Sequence, residues 1–172
     1  MDLEKIMSLA KKGYNLFILA GNYLQHPLLL LFRINWGIQF MVTGYGKLTD
    51  HGKVESFFTS LGIPLPGLNA WIAGATECFG GIFILLGLAT RPFGTLLAFT
   101  MCVAYLSVKD DRETVFKVFQ NPDAFTSATP FMFLVTALLM VCFGPGKLSL
   151  DYLLGKYVFN KDDTASGEGK SE

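Results

Sequence analysis

Two stretches of this chain stay apolar for the width of a lipid bilayer, and each contains one formal charge. Residues 27–46 read PLLLLFRINWGIQFMVTGYG around Arg33, and residues 69–90 read NAWIAGATECFGGIFILLGLAT around Glu77. A helix needs about 20 apolar residues to cross the hydrocarbon core. An ionised side chain at the centre of such a helix costs about 2.5–3.5 kcal/mol. Each charge must therefore face a partner, a ligand or water, and both become candidate functional residues.

Two more apolar blocks follow, near 92–108 and 125–143, the second with Pro130 close to its start. The expected fold class is an all-α integral membrane protein, a four-transmembrane-helix bundle. Composition agrees: 51% of residues are hydrophobic and 16% charged, against about 25% charged in a typical soluble domain. Fourteen basic and fourteen acidic residues cancel, so the basic field that nucleic-acid binding needs is missing. Cys78, Cys102 and Cys142 form no CxxC pair and no metal-ligand spacing, which makes them packing residues and predicts no metal.

Residues 1–26 predict an amphipathic interfacial helix. Met7, Ala10, Tyr14, Phe17 and Leu24 recur at helical spacing, with Lys5, Lys11, Lys12 and Asn15 on the other side. A partner-binding helix is the alternative. Pro27 suits the first turn of the helix that follows. The membrane domain is expected over 27–157, and the polar residues 158–172 form a tail expected to be disordered. Between the first two spans, Val54, Phe57, Phe58 and Leu61 share one face of a short helix ended by Gly62, Pro64 and Pro66. Those aromatics either anchor at the membrane surface or cover a lipid or quinone entrance.

With four spans, the two termini and the turn at 90–92 share one side, which carries eight Lys and Arg residues against five on the other. The bias places both termini in the cytoplasm. The expected location is a bacterial plasma (inner) membrane, crossed several times.

Arg33, Gly37, Phe40, Gly44 and Lys47 line one narrow stripe of the first span. Ala70, Ala73, Gly74, Glu77, Gly80 and Gly81 line another on the second. Small residues let transmembrane helices approach closely, so Gly37 and Gly44 are expected opposite Gly74 and Gly81. At 1.5 Å per residue Arg33 and Glu77 are staggered by about 9 Å in depth. Arg33 pairing with Glu77, Lys47 reaching in from the far end, and a ligand between them all remain open. Glu77 and Arg33 are the candidate catalytic residues, and Arg33, Lys47 and Glu77 the candidate ligand-binding group. Gly144-Pro145-Gly146 ends the last span, Ser149 reads as an N-cap, and Asp151 is expected to meet Arg91 at the cytoplasmic ends.

Taken in order, Arg33, Gly44-Tyr45-Gly46-Lys47-Leu48, Gly62-Ile63-Pro64, Glu77-Cys78-Phe79-Gly80-Gly81, Gly87-Leu88-Ala89-Thr90-Arg91 and the GPGKLSLD segment resemble the DoxX family of small bacterial membrane proteins. The resemblance covers about residues 28–152. It implies a four-helix transmembrane bundle and membership of a redox system, as a subunit of a quinone-linked oxidoreductase or an anchor for thiol-redox partners. It does not decide whether this chain is itself an enzyme.

Three functions follow as expectations. The first is a membrane subunit of a quinone-linked oxidoreductase or thiol/sulfur redox system. No haem, flavin or iron–sulfur motif is evident, so electrons would come from a soluble or membrane partner subunit, with quinone as the ligand. The second is a non-catalytic scaffold that recruits soluble redox partners through its ends. The third is a small-solute or lipid carrier, disfavoured because no duplicated half is evident unless the chain forms a homo-oligomer.

Overall fold

The computed structural model describes residues 3–157, and every regular element among them is an α-helix. The tail expected to be disordered, 158–172, lies outside the described residues. In chain order the helices are α1 (Leu3–Thr49), α2 (His51–Ser60), α3 (Pro66–Leu86), α4 (Thr90–Ser107), α5 (Lys109–Phe116), α6 (Pro122–Ser127), α7 (Pro130–Phe143) and α8 (Leu150–Tyr157).

α1 corrects the expected boundary at residue 27. It runs unbroken for 47 residues, about 70 Å, and holds Pro27 in its interior. Proline removes the bond to the carbonyl four residues back. Here that carbonyl belongs to Tyr23, an exposed residue, where an outside donor can take the missing N–H's place. Upstream of Pro27 the described side chains are exposed or half-buried, so the first half of α1 is an arm and the second half packs.

Packing is antiparallel throughout. Gly37 meets Gly81 and Leu85, while Gly44 meets Cys78 and Gly74, so α1 and α3 run in opposite directions. Phe83 stacks on Phe93 with centroids 4.0 Å apart, joining α3 to α4. Gly94 abuts Ala137 and Val141 of α7. The core that results draws Leu29 and Phe40 from α1, Ile84 from α3, Leu97 and Met101 from α4, and Met140 from α7. Phe133 of α7 packs edge-on against Phe40 at 4.7 Å and Trp36 at 5.1 Å.

Two more boundaries differ from those expected. α3 stops at Leu86, because Gly87 turns left-handed (φ 68°) and the N–H groups of Gly87 and Leu88 close back on Ile84 and Phe83. The last block divides at Ala128, which is extended, leaving 14 residues in α7. Pro130 would otherwise clash with the carbonyl of Thr126. Among the described helices, α3 alone is both long and apolar enough to cross a membrane by itself. α4 reaches that standard together with α5, which leaves its axis at 100°.

Candidate functional site

The two charges do not meet. Arg33 is buried at the end of the bundle where α3 stops, and its guanidinium donates only to backbone. Nε donates to Ile84 O (2.9 Å) and Nη2 to Leu85 O (2.9 Å). Nη1 donates to Pro145 O (3.0 Å) and Leu148 O (2.6 Å). The last carbonyls of a helix lack intrahelical partners and form the negative end of its dipole. Arg33 satisfies both needs and ties the α3 terminus to the turn before α8. A Cβ on Gly87 would overlap Nη2 and lie 2.6 Å from Cζ, so glycine is required there for space as well as for its positive φ. These contacts commit four of the five N–H groups of Arg33 to backbone carbonyls and leave it apart from Glu77.

Asp151 stands beside this node. Its carboxylate accepts from the N–H groups of Ala89 (2.7 Å) and Thr90 (3.0 Å), and its own N–H donates to Gly87 O (2.8 Å). It thus caps α4 from another element, at the positive end of that helix dipole, and holds Ala89 in a left-handed conformation (φ 46°). The expected contact with Arg91 is not formed; Arg91 lies against Gly144 instead. Ser149 Oγ accepts from Tyr152 N–H at 3.2 Å, at the start of α8.

Glu77 sits about 10 Å along α3 from Ile84, buried to 1% exposure. Its partner is Lys47, whose Nζ donates to Oε1. Gly74 makes the pairing fit: a Cβ there would lie 3.2 Å from Lys47 Cβ and 2.9 Å from Leu48, so the lysine stem runs flat along α3 toward the acid one turn on. Gly44 brings the same two helices together, since a Cβ on it would lie 2.7 Å from Gly74 O. No described residue donates to Glu77 Oε2. The lysine side chain is 32% exposed and, with three N–H donors, has capacity beyond this one bond.

That capacity opens into a cavity of about 570 Å³ bounded by α2, α3 and α4. Lys47 and Glu77 form its charged pole, with Asn69, Thr76 and Thr100 as further polar groups on a lining otherwise mostly of Phe, Leu, Ile and Val. Phe57 and Phe58 of α2 with Leu61 just after it form one wall and Leu96, Phe99 and Val103 of α4 the other. The hydroxyl of Thr76 carried no pattern that marked it in sequence. Asn69 and Thr100 were likewise invisible, because their relation to Glu77 exists only once α3 and α4 are packed.

The chain is thus a small antiparallel helical protein with a structural arginine at one end and an apolar cavity ending in an ion pair toward the other. The DoxX family profile matches residues 28–110, which include Arg33, Lys47 and Glu77. "Putative oxidoreductase CatD" of Bacillus subtilis (strain 168) is 32% identical over 122 residues, 71% of this chain and 83% of that protein. "Inner membrane protein YqjF" of Escherichia coli (strain K12) is 30% identical over 74% of this chain and 92% of its own length. "Inner membrane protein YphA" of the same organism is 38% identical over 42% of this chain and 51% of its own. No solved structure matches. The chain belongs to the DoxX family.

Proposed function

We propose that this protein is a membrane-embedded subunit of a quinone-linked oxidoreductase, holding a quinone headgroup beside Lys47 and Glu77. The observation that carries the reading is the mostly apolar cavity lined at one end by a buried carboxylate whose one described partner is the half-exposed Lys47. Ligand sites are largely apolar with a few convergent polar groups. Lys47 Nζ offers N–H donors to a carbonyl oxygen, and Glu77 Oε2 offers an acceptor to a hydroxyl. The donor set and the volume fit a quinone ring with the first part of its tail. Such a group, when bound, supplies two-electron, two-proton chemistry; this chain's residues bind it, orient it and keep bulk water away. Electrons come from a partner subunit.

Membrane placement is supported by the outward faces. Leu96, Phe99, Val103 and Leu106 of α4 and Trp71, Ile72, Phe79 and Leu86 of α3 are all exposed. A soluble monomer rarely leaves apolar surface so contiguous. The second half of α1 with α3, α4 and α7 form the four spans, α7 at about 21 Å being short for a core of about 30 Å. Pro27, inside an unbroken α1, is the point at which the helix can bend for the arm to lie at headgroup level, its lysines toward anionic lipid. The relatives named as inner membrane proteins support a bacterial plasma membrane location, and the Lys and Arg bias supports cytoplasmic termini.

The test is quinone extraction from gently solubilised protein, followed by titration with ubiquinone or menaquinone. Losing one charge-assisted hydrogen bond is worth about 1.5–3 kcal/mol, so Glu77→Gln and Lys47→Met should each weaken binding about 10-fold or more. Wild-type protein that neither retains nor binds quinone defeats the proposal. A scaffold role has one observation in its favour, the exposure of Tyr14, Phe17, Tyr23 and Leu24 on the arm. Deleting residues 1–26 should then abolish partner recovery while leaving the bundle monodisperse; undiminished recovery removes that reading.

A further inference from the structure

α2 and α4 both pack on α3 yet have little contact with each other, and the cavity is the seam between them. Its α4 wall is a single helical stripe: Leu96, Phe99, Val103 and Ser107 recur every three or four residues, with Thr100 beside Phe99. The outer edge of that stripe is open, with Phe99 at 68% exposure and Val103 at 42%, and Phe57 across the seam is exposed as well. The inner end is closed by Lys47 and Glu77. From Leu96 to Ser107 the stripe is about 16 Å long, close to half the thickness of a hydrocarbon core.

We infer that the seam between α2 and α4 is a tail-binding groove, open sideways to the bilayer, which selects a lipid-borne quinone over a water-soluble one. The inference rests on the quinone reading of the Lys47–Glu77 pole and adds what recognises the rest of the molecule. The headgroup occupies the charged pole. Its isoprenoid tail leaves between Phe57 of α2 and the Phe99–Val103 edge of α4, where the groove wall becomes the surface facing lipid. Three features agree on this occupant. The groove carries formal charge at one end only, its lining is mostly apolar with single polar groups at Asn69, Thr76, Thr100 and Ser107, and its open edge belongs to the girdle that faces acyl chains.

The experiment compares two probes on purified protein in lipid nanodiscs: a ubiquinone with an isoprenoid tail, and ubiquinone-0, which is the same headgroup without a tail. Affinities are expressed per lipid for the first and per aqueous volume for the second. Wild type should bind both. Val103→Trp, which fills the groove near its edge, should weaken the tailed probe about 10-fold and leave ubiquinone-0 within about 2-fold. Glu77→Gln should weaken both. Should Val103→Trp fail to give monodisperse protein, Phe99→Ala removes the wall instead of filling the groove, and the same split is expected. An unchanged affinity for the tailed probe in a folded groove variant overturns the groove. So does an equal loss for both probes, which would place the effect at the headgroup. Binding of neither probe to wild type overturns the quinone reading itself.

Discussion

Replacing Arg33 separates a structural charge from a functional one. In Arg33→Met the stem and most of the volume stay, while the four hydrogen bonds to Ile84, Leu85, Pro145 and Leu148 disappear. Ile84 O keeps the N–H of Gly87, so three carbonyls lose the partner they have. A buried acceptor left unpaired costs about 1–3 kcal/mol, and three at the low end cost about 3 kcal/mol. For a chain of this length that is a fall of about 6–12 °C in apparent Tm. Arg33→Lys keeps the charge but replaces a planar fork with a point donor, so it should recover part of the loss and not all of it. The assay is the temperature at which the monodisperse peak disappears in size-exclusion after heating in mild detergent. Quinone affinity, measured well below the transition, should stay within about 2-fold of wild type. An Arg33→Met protein as stable as wild type refutes the capping role. One that is stable but unable to bind quinone refutes the division of labour between Arg33 and Glu77.

Other outcomes follow from the same geometry. Asp151→Asn leaves one carbonyl oxygen where a carboxylate served Ala89 and Thr90 N–H groups, so stability should fall by about 1–2 kcal/mol in the same heating assay. Gly44→Ala drives a Cβ into the backbone of Cys78 and Gly74 and should destabilise by about 1–3 kcal/mol. Gly46→Ala, two residues on with nothing within 4 Å, should be neutral or stabilising by about 0.5–1 kcal/mol; equal losses at both sites would show that close approach is not what Gly44 provides. For topology, alkaline phosphatase fused after residue 157 should be inactive and a fusion within α5 active, the reverse pattern placing the cavity toward the cytoplasm.

Much of this was legible in the sequence where the signal is local. Gly37, Gly44, Gly74 and Gly81 fall at helical spacing, and a row of missing side chains has few uses other than close approach. Lys47 lies on the same stripe, so its reach toward Glu77 was among the arrangements the spacing allowed. Pro27 misled because a proline marks a lost hydrogen bond, and whether the chain breaks there depends on what surrounds the freed carbonyl. The partners of Arg33 and Asp151 were beyond reach for a different reason. Both side chains bind backbone atoms 51 or more residues away, and a backbone carbonyl or N–H has no letter of its own.

The same consideration explains why two charges that look alike in sequence take different roles. Each would be costly in lipid, so each needs partners; the cost says nothing about how many partners it finds. Arg33 sits where a helix ends, and a helix end offers unpaired carbonyls, so its donors are consumed and a ligand has little to gain there. Glu77 sits mid-helix, where α3 satisfies its own backbone and offers the side chain nothing. Its one described partner comes from Lys47, and both residues line a mostly apolar space of about 570 Å³. An unpaired acceptor in such surroundings is stabilised by any hydroxyl that arrives with an apolar body attached, which is the chemistry of a reduced quinone. Hydrogen-bonding capacity left over after folding, more than charge or depth, is therefore what distinguishes the proposed binding pole from the arginine node.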